Sequence, residues 1–444
     1  MKKHVLRITE SSWDKLVLAL TARADVETAA VILCRKLESE SASVLVAESI
    51  ELVPEQGYLE RTGAWIRIAP VALNRLTRRA REEDLSILTV HSHPGCQEPW
   101  FSWADDQGDS RLMPAFRVQV PGLPHGSIVL VQGGQACARV FSEAQEEEAV
   151  TISIIGRTLR QATLVQSRAD ERFARQALAL GAAGQALLRQ LRVAIVGLGG
   201  TGSLCALQAL HLGVGELLLM DADVVENTNL SRIPGALQSD VGVTPKVDVV
   251  TRYADQVGAP TAVRAINRHL VGGKDLAILR ECDVVLSCVD AHTPRALMNR
   301  LAYEALVPLI DMGSAFRTDV TGAIVSEAGR VVIVGPGRPC LLCWGHVDPD
   351  RLREEALPDA ERQLLAQDGY VTNLDAPAPS VIAFNTMLAG AAMVELLRIV
   401  TGFAGAASPP NRLAFSFGEG TVRRSALAGN RACRVCADNR PESS

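Results

Sequence analysis

Two kinds of hydrophobic pattern alternate along the chain. In the first third, AAVILC (29–34) and ASVLVAESIELV (42–53) are β-branched and alternate apolar with polar positions, which predicts half-buried strands. RIAPVALNRLTRRAREED (67–84) repeats its apolar positions at helical spacing and predicts an amphipathic helix with a basic outer face. LSILTV (85–90) is a short, continuously apolar strand that runs straight into His91-Ser92-His93-Pro94. Beyond residue 190 the pattern changes. RQLRVAIVG (189–197) predicts a buried parallel-type strand, followed by a glycine turn and the helix GSLCALQALHLG (202–213). The strand ELLLMDAD (216–223), a helix near Lys246–Val257 and the strands TAVRAINRHL (261–270) and CDVVLSCVD (282–290) follow. This strand–helix alternation predicts an α/β domain with a mostly parallel sheet.

Between these regions AQEEEA (144–149) interrupts the patterning and the next residues read as helical. We therefore expect a first domain over 1–145, a helical linker over 146–170 and a second domain over 171–444. A length of 444 residues agrees with two or three domains. An apolar content of 48% and a charged content of 21% are those of a globular chain, and a net charge of −5 argues against nucleic acid and basic membrane-surface partners. The N-terminus lacks a signal-peptide pattern and no stretch reaches 18 uncharged apolar residues, so a cytoplasmic protein without membrane segments is expected. Ten cysteines are too sparse for a disulfide scaffold. Six lysines against 39 arginines make a lysine at a chemically telling position stand out.

Two histidines at i and i+2 on a strand point the same way and can reach one metal ion. Asp105, twelve residues after His93, supplies a third ligand, leaving a fourth position of zinc open. The whole pattern H-S-H-P-x7-S-x-x-D resembles the JAB/MPN (JAMM) metalloprotease family. That resemblance implies an α+β domain with a cytidine-deaminase-like sheet, Zn²⁺ on His91, His93 and Asp105, Glu27 as general base and Ser102 beside the oxyanion. It also implies cleavage of peptide or isopeptide bonds at the C-termini of ubiquitin-like proteins.

VAIVGLGGTG (193–202) places Gly197, Gly199, Gly200 and Gly202 between a strand and a helix, where backbone N–H groups can approach phosphate. Asp221 lies about twenty residues further on, and Asp223, Asn229, Arg232, Lys246 and Asp290 follow in order. This series resembles the ubiquitin-activating-like ThiF/MoeB adenylyltransferases, with GxGGxG, D-x-D, N-L-x-R, a V-G-x-P-K element one residue longer here, and a C-T-D-N-like turn written Cys288-Val289-Asp290-Ala291. The resemblance implies a Rossmann-like domain using ATP and Mg²⁺. On that resemblance Asp221 would bind its ribose, Asp223 would lie in the cofactor site, Asn229, Arg232 and Lys246 would contact its phosphates, and Asp290 would hold its magnesium. Arg172-Phe173-Ala174-Arg175-Gln176 matches the family's R-Y-x-R-Q, so Arg175 would reach the partner subunit of a homodimer formed through this domain. Cys340-x-x-Cys343 and Cys433-x-x-Cys436 form a four-thiolate set suited to structural zinc, at the separation seen in that family.

The loop in which thioester-forming members carry a cysteine reads QDGYVTNLDAP (367–377) and contains none. The expected function is therefore bifunctional: adenylation of the C-terminal glycine of a ubiquitin-like protein, and zinc-dependent processing or deconjugation of the same protein. A conjugating-enzyme-like protein is a possible further partner. The alternatives are activation of a sulfur-carrier protein for sulfur transfer or metabolite biosynthesis, and a JAMM domain that serves only to dock the ubiquitin-like protein.

Overall fold

The structure, a computed structural model, describes residues 3–141, 147–163, 170–321, 323–358, 361, 379–405, 411–427, 429–430 and 432–437. The chain forms two compact units, Met1–Val165 and Gln166–Ser444.

The first unit contains, in order, β1 (Lys3–Thr9), α1 (Glu10–Leu20), β2 (Ala29–Glu38), β3 (Ala42–Leu52), β4 (Tyr58–Arg61), β5 (Ile66–Ile68), α2 (Pro70–Glu82), β6 (Leu85–Ser92), α3 (Trp103–Gln119), β7 (His125–Leu130), β8 (Ala136–Phe141), β9 (Glu147–Ile155) and β10 (Leu159–Gln161). Eight strands form one sheet in the order β1-β3-β2-β6-β7-β8-β9-β10. The period-two alternation of β2 builds a separate core on each face. Ala30, Ile32 and Cys34 join Leu6, Ile8, Leu45 and Val90 beneath Trp13, Leu16 and Leu20 of α1. Val31 and Leu33 pack with Leu73, Leu76 and Ala80 of α2 and with Met113 and Phe116 of α3. Thr9 starts α1 by accepting a hydrogen bond from the Ser12 N–H.

Within the segment expected to be a helical linker, 146–170, residues 147–155 and 159–161 are instead strand. Glu147–Ala149 pair antiparallel with β8. Val150–Ile155 run parallel to β1, so β9 joins the two ends of the sheet. The three glutamates suggested a domain boundary, but the β-branched run after them alternates, and Val150, Ile152 and Ile154 enter the first core. The first unit therefore extends past residue 145 to Val165.

The second unit contains α4 (Ala174–Gln190), β11 (Arg192–Val196), α5 (Gly200–Leu212), β12 (Glu216–Met220), α6 (Lys246–Gln256), β13 (Ala262–Ile266), α7 (Lys274–Leu279), β14 (Val284–Ser287), α8 (His292–Glu304), β15 (Leu309–Thr318), β16 (Ile324–Val334), α9 (Pro349–Ala356), α10 (Ile382–Thr401), β17 (Arg412–Ser416) and β18 (Thr421–Ser425). Its eight strands lie in the order β13-β12-β11-β14-β15-β16-β17-β18. The first five are parallel and the last three antiparallel. The direction of strand order reverses between β11 and β14, and the crevice beyond their carboxyl ends is where such sheets take ligands. α10 is long and apolar enough to cross a membrane by length and composition. It carries Glu395 and Arg398, paired at 3.1 Å. Leu388, Ala389, Ala392 and Leu396 are fully buried, with the helix packed on α5, β15 and β16.

The closing strand yields a stability prediction. Ile152→Ala should cost about 2–5 kcal/mol, as expected for truncating a buried aliphatic side chain. Chemical denaturation measures it; a loss below about 0.5 kcal/mol, the range of surface substitutions, would contradict the closing role of β9.

Candidate metal centres and nucleotide site

β6 is buried along its whole length. His93 continues its pairing by donating its N–H to the Leu130 carbonyl at 2.9 Å. The two imidazoles leave this end on the same side, their Nε2 atoms 3.2 Å apart. Asp105 comes from the first turn of α3, in a reciprocal cap with Ser102. The Ser102 hydroxyl accepts from the Asp105 N–H at 3.2 Å and the Asp105 carboxylate accepts from the Ser102 N–H at 2.6 Å. This cap aims Asp105 at both rings, 2.8 Å from His91 Nε2 and 3.4 Å from His93 Nε2. Tetrahedral ligand atoms about 2.0–2.1 Å from zinc lie about 3.3 Å apart, so the donor set fits that metal. Burial opposes ionisation of Asp105, yet its hydrogen bonds with His91 and His93 hold the carboxyl well below its usual range. Burial likewise opposes charge on His91, and Asp105 outweighs it and raises the imidazole.

Glu27 completes the cluster. It precedes β2, whose Ala29 pairs with His91, and its N–H donates to Thr62 in the β4–β5 hairpin at 2.7 Å. The residue is 2% exposed, with Oε1 3.9 Å from His93 Nε2. Oε2 is buried without a hydrogen-bond partner, and burial raises the carboxyl. A buried carboxylate with an unused oxygen facing a ligand cluster is suited to hold a proton there.

In the second unit the glycine turn, Asp221, Asp223, Asn229, Arg232, Lys246 and Asp290 lie at the carboxyl edge of the parallel strands, whereas Arg175 lies on α4 beside the far end of α5, where Gln176 donates to the His211 carbonyl at 3.3 Å. Gly197 adopts φ +88°. A Cβ on Gly202 would stand 1.8 Å from the Gly197 carbonyl oxygen, so only glycine lets α5 begin so close to the turn. Gly199 caps α5 and Gly200 opens it beneath Arg232, whose Cδ lies 3.3 Å from the Cβ position. Asp221 accepts from the N–H groups of Leu198 and Asp223 at 2.5 and 2.8 Å, tying β12 to the glycine turn. Burial raises its carboxyl against these bonds. Lys246 donates to Asp223 at 2.7 Å. Asn229 is buried and accepts from the Glu226 N–H at 3.1 Å, shaping the loop from which Arg232 projects. Asp290 lies exposed just past β14, and Arg175 is exposed on the first turn of α4. Among the described residues two groups converge to metal-binding distances, and Asp290 is in neither.

Other residues of this site escaped the sequence reading. The lengthened loop before Lys246 is held by Asp240, which accepts from Arg252 at 2.8 and 2.7 Å and from the Thr244 hydroxyl at 2.9 Å. Ala291 offers α8 no side-chain cap. Glu355 of α9 takes that role, accepting from the N–H groups of His292 and Thr293 at 2.8 and 2.7 Å. The Glu355 contacts join residues more than sixty positions apart in the chain and carry no local signature. Of the cysteine-free loop expected at 367–377, all residues lie outside those described.

Cys340, Cys343, Cys433 and Cys436 meet as expected. Their sulfur atoms stand 3.8, 3.5 and 3.7 Å apart in the pairs 340–343, 340–433 and 343–436. These separations are far too long for disulfides and match the edge of a tetrahedron of about 2.3 Å zinc–sulfur bonds, about 3.8 Å.

Both units match known families. Residues 173–435 match the ThiF family, and residues 9–153 match the prokaryotic homologues of the JAB domain. The chain belongs to the ThiF family. Its first unit is a prokaryotic JAB-type domain, joined to a ThiF/MoeB-type unit in one polypeptide. The chain is 32% identical over 273 residues to adenylyltransferase and sulfurtransferase uba4 of Aspergillus fumigatus, covering 60% of this chain and 51% of that protein. It is 32% identical over 186 residues to the molybdopterin-synthase adenylyltransferase of Escherichia coli K12, covering 41% of this chain and 68% of that one. The match thus spans about half the length of uba4. A solved structure of the microcin C7 biosynthetic enzyme MccB with N-formylated MccA aligns with TM-score 0.49 at 21% identity, over 60% of this chain and 75% of that one.

Elemental analysis should find two zinc ions per chain, with His91→Ala and Cys433→Ser each losing one. A single zinc in the unsubstituted protein would remove one of the two centres.

Proposed function

We propose that the second unit adenylates the C-terminal glycine carboxylate of a ubiquitin-like or sulfur-carrier protein, and that the first unit hydrolyses peptide or isopeptide bonds at the same tail. The observation that carries this reading is the joining, in one chain, of a ThiF unit and a prokaryotic JAB-type unit in which His91, His93 and Asp105 converge beside the buried Glu27. The family of the second unit and the names of its relatives, an adenylyltransferase-sulfurtransferase and a molybdopterin-synthase adenylyltransferase, support the choice of reaction.

In adenylation an oxygen of the terminal carboxylate attacks the α-phosphorus of ATP. The bond from that phosphorus to the bridging oxygen breaks, and pyrophosphate leaves. The glycine turn and the start of α5 present N–H groups to the phosphates. Arg232 and Lys246 offset charge on the phosphate oxygens, which requires Lys246 to exchange Asp223 for phosphate. Asp221 and Asp223 supply acceptors for ribose hydroxyls, Asp290 would hold Mg²⁺, and Arg175 serves a second copy of the chain. In the first unit His91, His93 and Asp105 would hold zinc, which when bound lowers the pKa of water and polarises a carbonyl. Glu27 takes the proton of the attacking water and returns it to the leaving amine, and Ser102 donates to the carbonyl oxygen.

Two readings share this chemistry. In protein modification a thiol of a conjugating-enzyme-like partner attacks the acyl carbon of the adenylate, forming a thioester as AMP leaves; in sulfur transfer a sulfide-level sulfur nucleophile attacks the same carbon, forming a thiocarboxylate as AMP leaves. The relatives' names favour the second reading, and the JAB unit fits either, removing conjugates in the first and trimming an extended carrier in the second. All of this chemistry suits a cytoplasmic setting.

ATP–pyrophosphate exchange tests the adenylation half. It should require a partner ending in glycine and fall by at least about 100-fold in Asp290→Ala, the scale of losing a charge-stabilising group; undiminished exchange would overturn the magnesium assignment. For the hydrolytic half, Glu27→Gln should abolish cleavage of a peptide-extended tail without affecting exchange. Cleavage that survives would leave Glu27 without its role.

A further inference from the structure

Arg139 lies on β8 opposite Ala149 of β9 and is 4% exposed. A guanidinium taken so far from water needs acceptors, and it finds them in two places. Nη2 lies 2.6 Å from Asp109, to which Nε also donates at 2.9 Å, and Nη1 lies 2.8 Å from Asp106 and 3.2 Å from Glu147 of β9. Its carbon Cζ sits 3.8 Å from the centroid of the Phe101 ring. Asp106 and Asp109 are the first and fourth residues after the ligand Asp105, and Phe101 immediately precedes Ser102. One buried cation therefore grips both flanks of the Ser102–Asp105 cap.

That end of α3 has little else to hold it by apolar packing. The buried apolar residues of the helix are Met113 and Phe116, eight and eleven residues beyond Asp105 and so two to three turns away. Trp103 at the first turn is 77% exposed. Asp109 is buried, and its carboxylate also accepts from Ser127 of β7. The polar clamp thus connects the start of α3 to β7, β8 and β9.

We infer that Arg139 is a positioning residue for the His91–His93–Asp105 centre, setting where the Asp105 carboxylate stands relative to the two imidazoles. The inference rests on reading that cluster as a zinc site. Arginine is suited because its flat fork bonds two carboxylates while its face lies on an aromatic ring; lysine offers the same charge without that geometry. Groups that orient metal ligands typically alter affinity by 10–100-fold.

The test is zinc competition against a chromophoric chelator on the full chain, using unsubstituted protein, His91→Ala, Arg139→Lys and Asp106→Asn. His91→Ala should lose one zinc. Arg139→Lys should weaken that His91-dependent zinc by about 10–100-fold. Asp106→Asn, at a side chain 54% exposed, should weaken it in the same direction without moving the thermal midpoint of zinc-free protein. The cysteine-held zinc should keep its affinity in all three variants. If Arg139→Lys fails to fold, Asp106→Asn decides. Unchanged affinity in Asp106→Asn and in folded Arg139→Lys overturns the inference and leaves the zinc site standing. A zinc content that His91→Ala does not alter overturns both.

Discussion

A strand buried on both faces must still end, and the way it ends decides what each half of this protein can hold. β6 and β11 are paired with a strand on each side, and their side chains from Leu85 to Val90 and from Val193 to Val196 are buried. At the last residue that commitment lapses on one side. The side chains or backbone N–H groups there stand at a rim, fixed by the strand behind them and free of it in front. In the first unit the rim carries two imidazoles on one side of the strand. In the second it carries a glycine turn whose N–H groups open onto a helix. Both are rigid for the same reason.

The partners of each rim arrive from elsewhere, and their placement needs polar contacts because apolar packing ends where the rim begins. Asp105 is aimed by a reciprocal cap with Ser102. Asp221 fixes the glycine turn through the Leu198 N–H. Asp240 and Arg252 hold the loop before Lys246, and Glu355 holds the start of α8 beside Asp290. The four cysteines tie residues 93 positions apart into one corner of the second unit. In each case a charged or thiolate group does what a hydrophobic side chain could not do at a solvent-facing edge.

This division explains what could be read in the sequence. H-S-H-P-x7-S-x-x-D, the glycine turn and both CxxC pairs are local spacings set by strand and helix periods, and the structure brings their residues together. The order of Asn229, Arg232, Lys246 and Asp290 along the chain was legible for the same reason. The strand β9 was not, because Glu146, Glu147 and Glu148 mask a run whose alternation matters only once β1 lies beside it. Arg139 was equally silent: an arginine among 39 gains meaning only from Asp106, Asp109 and Phe101 around it. Contacts of this kind depend on topology.

The central claim is that both units act on one tail, the first exposing the carboxylate that the second activates. Intact-mass analysis of a ubiquitin-like protein bearing one residue beyond its terminal glycine, incubated with ATP, tests it most directly. The account predicts loss of the extra residue followed by gain of one adenylyl group, with neither change in Glu27→Gln protein and normal adenylylation there of the form already ending in glycine. Adenylylation of the extended form while the extra residue is still attached would contradict it, as would an extended form that unsubstituted protein never trims.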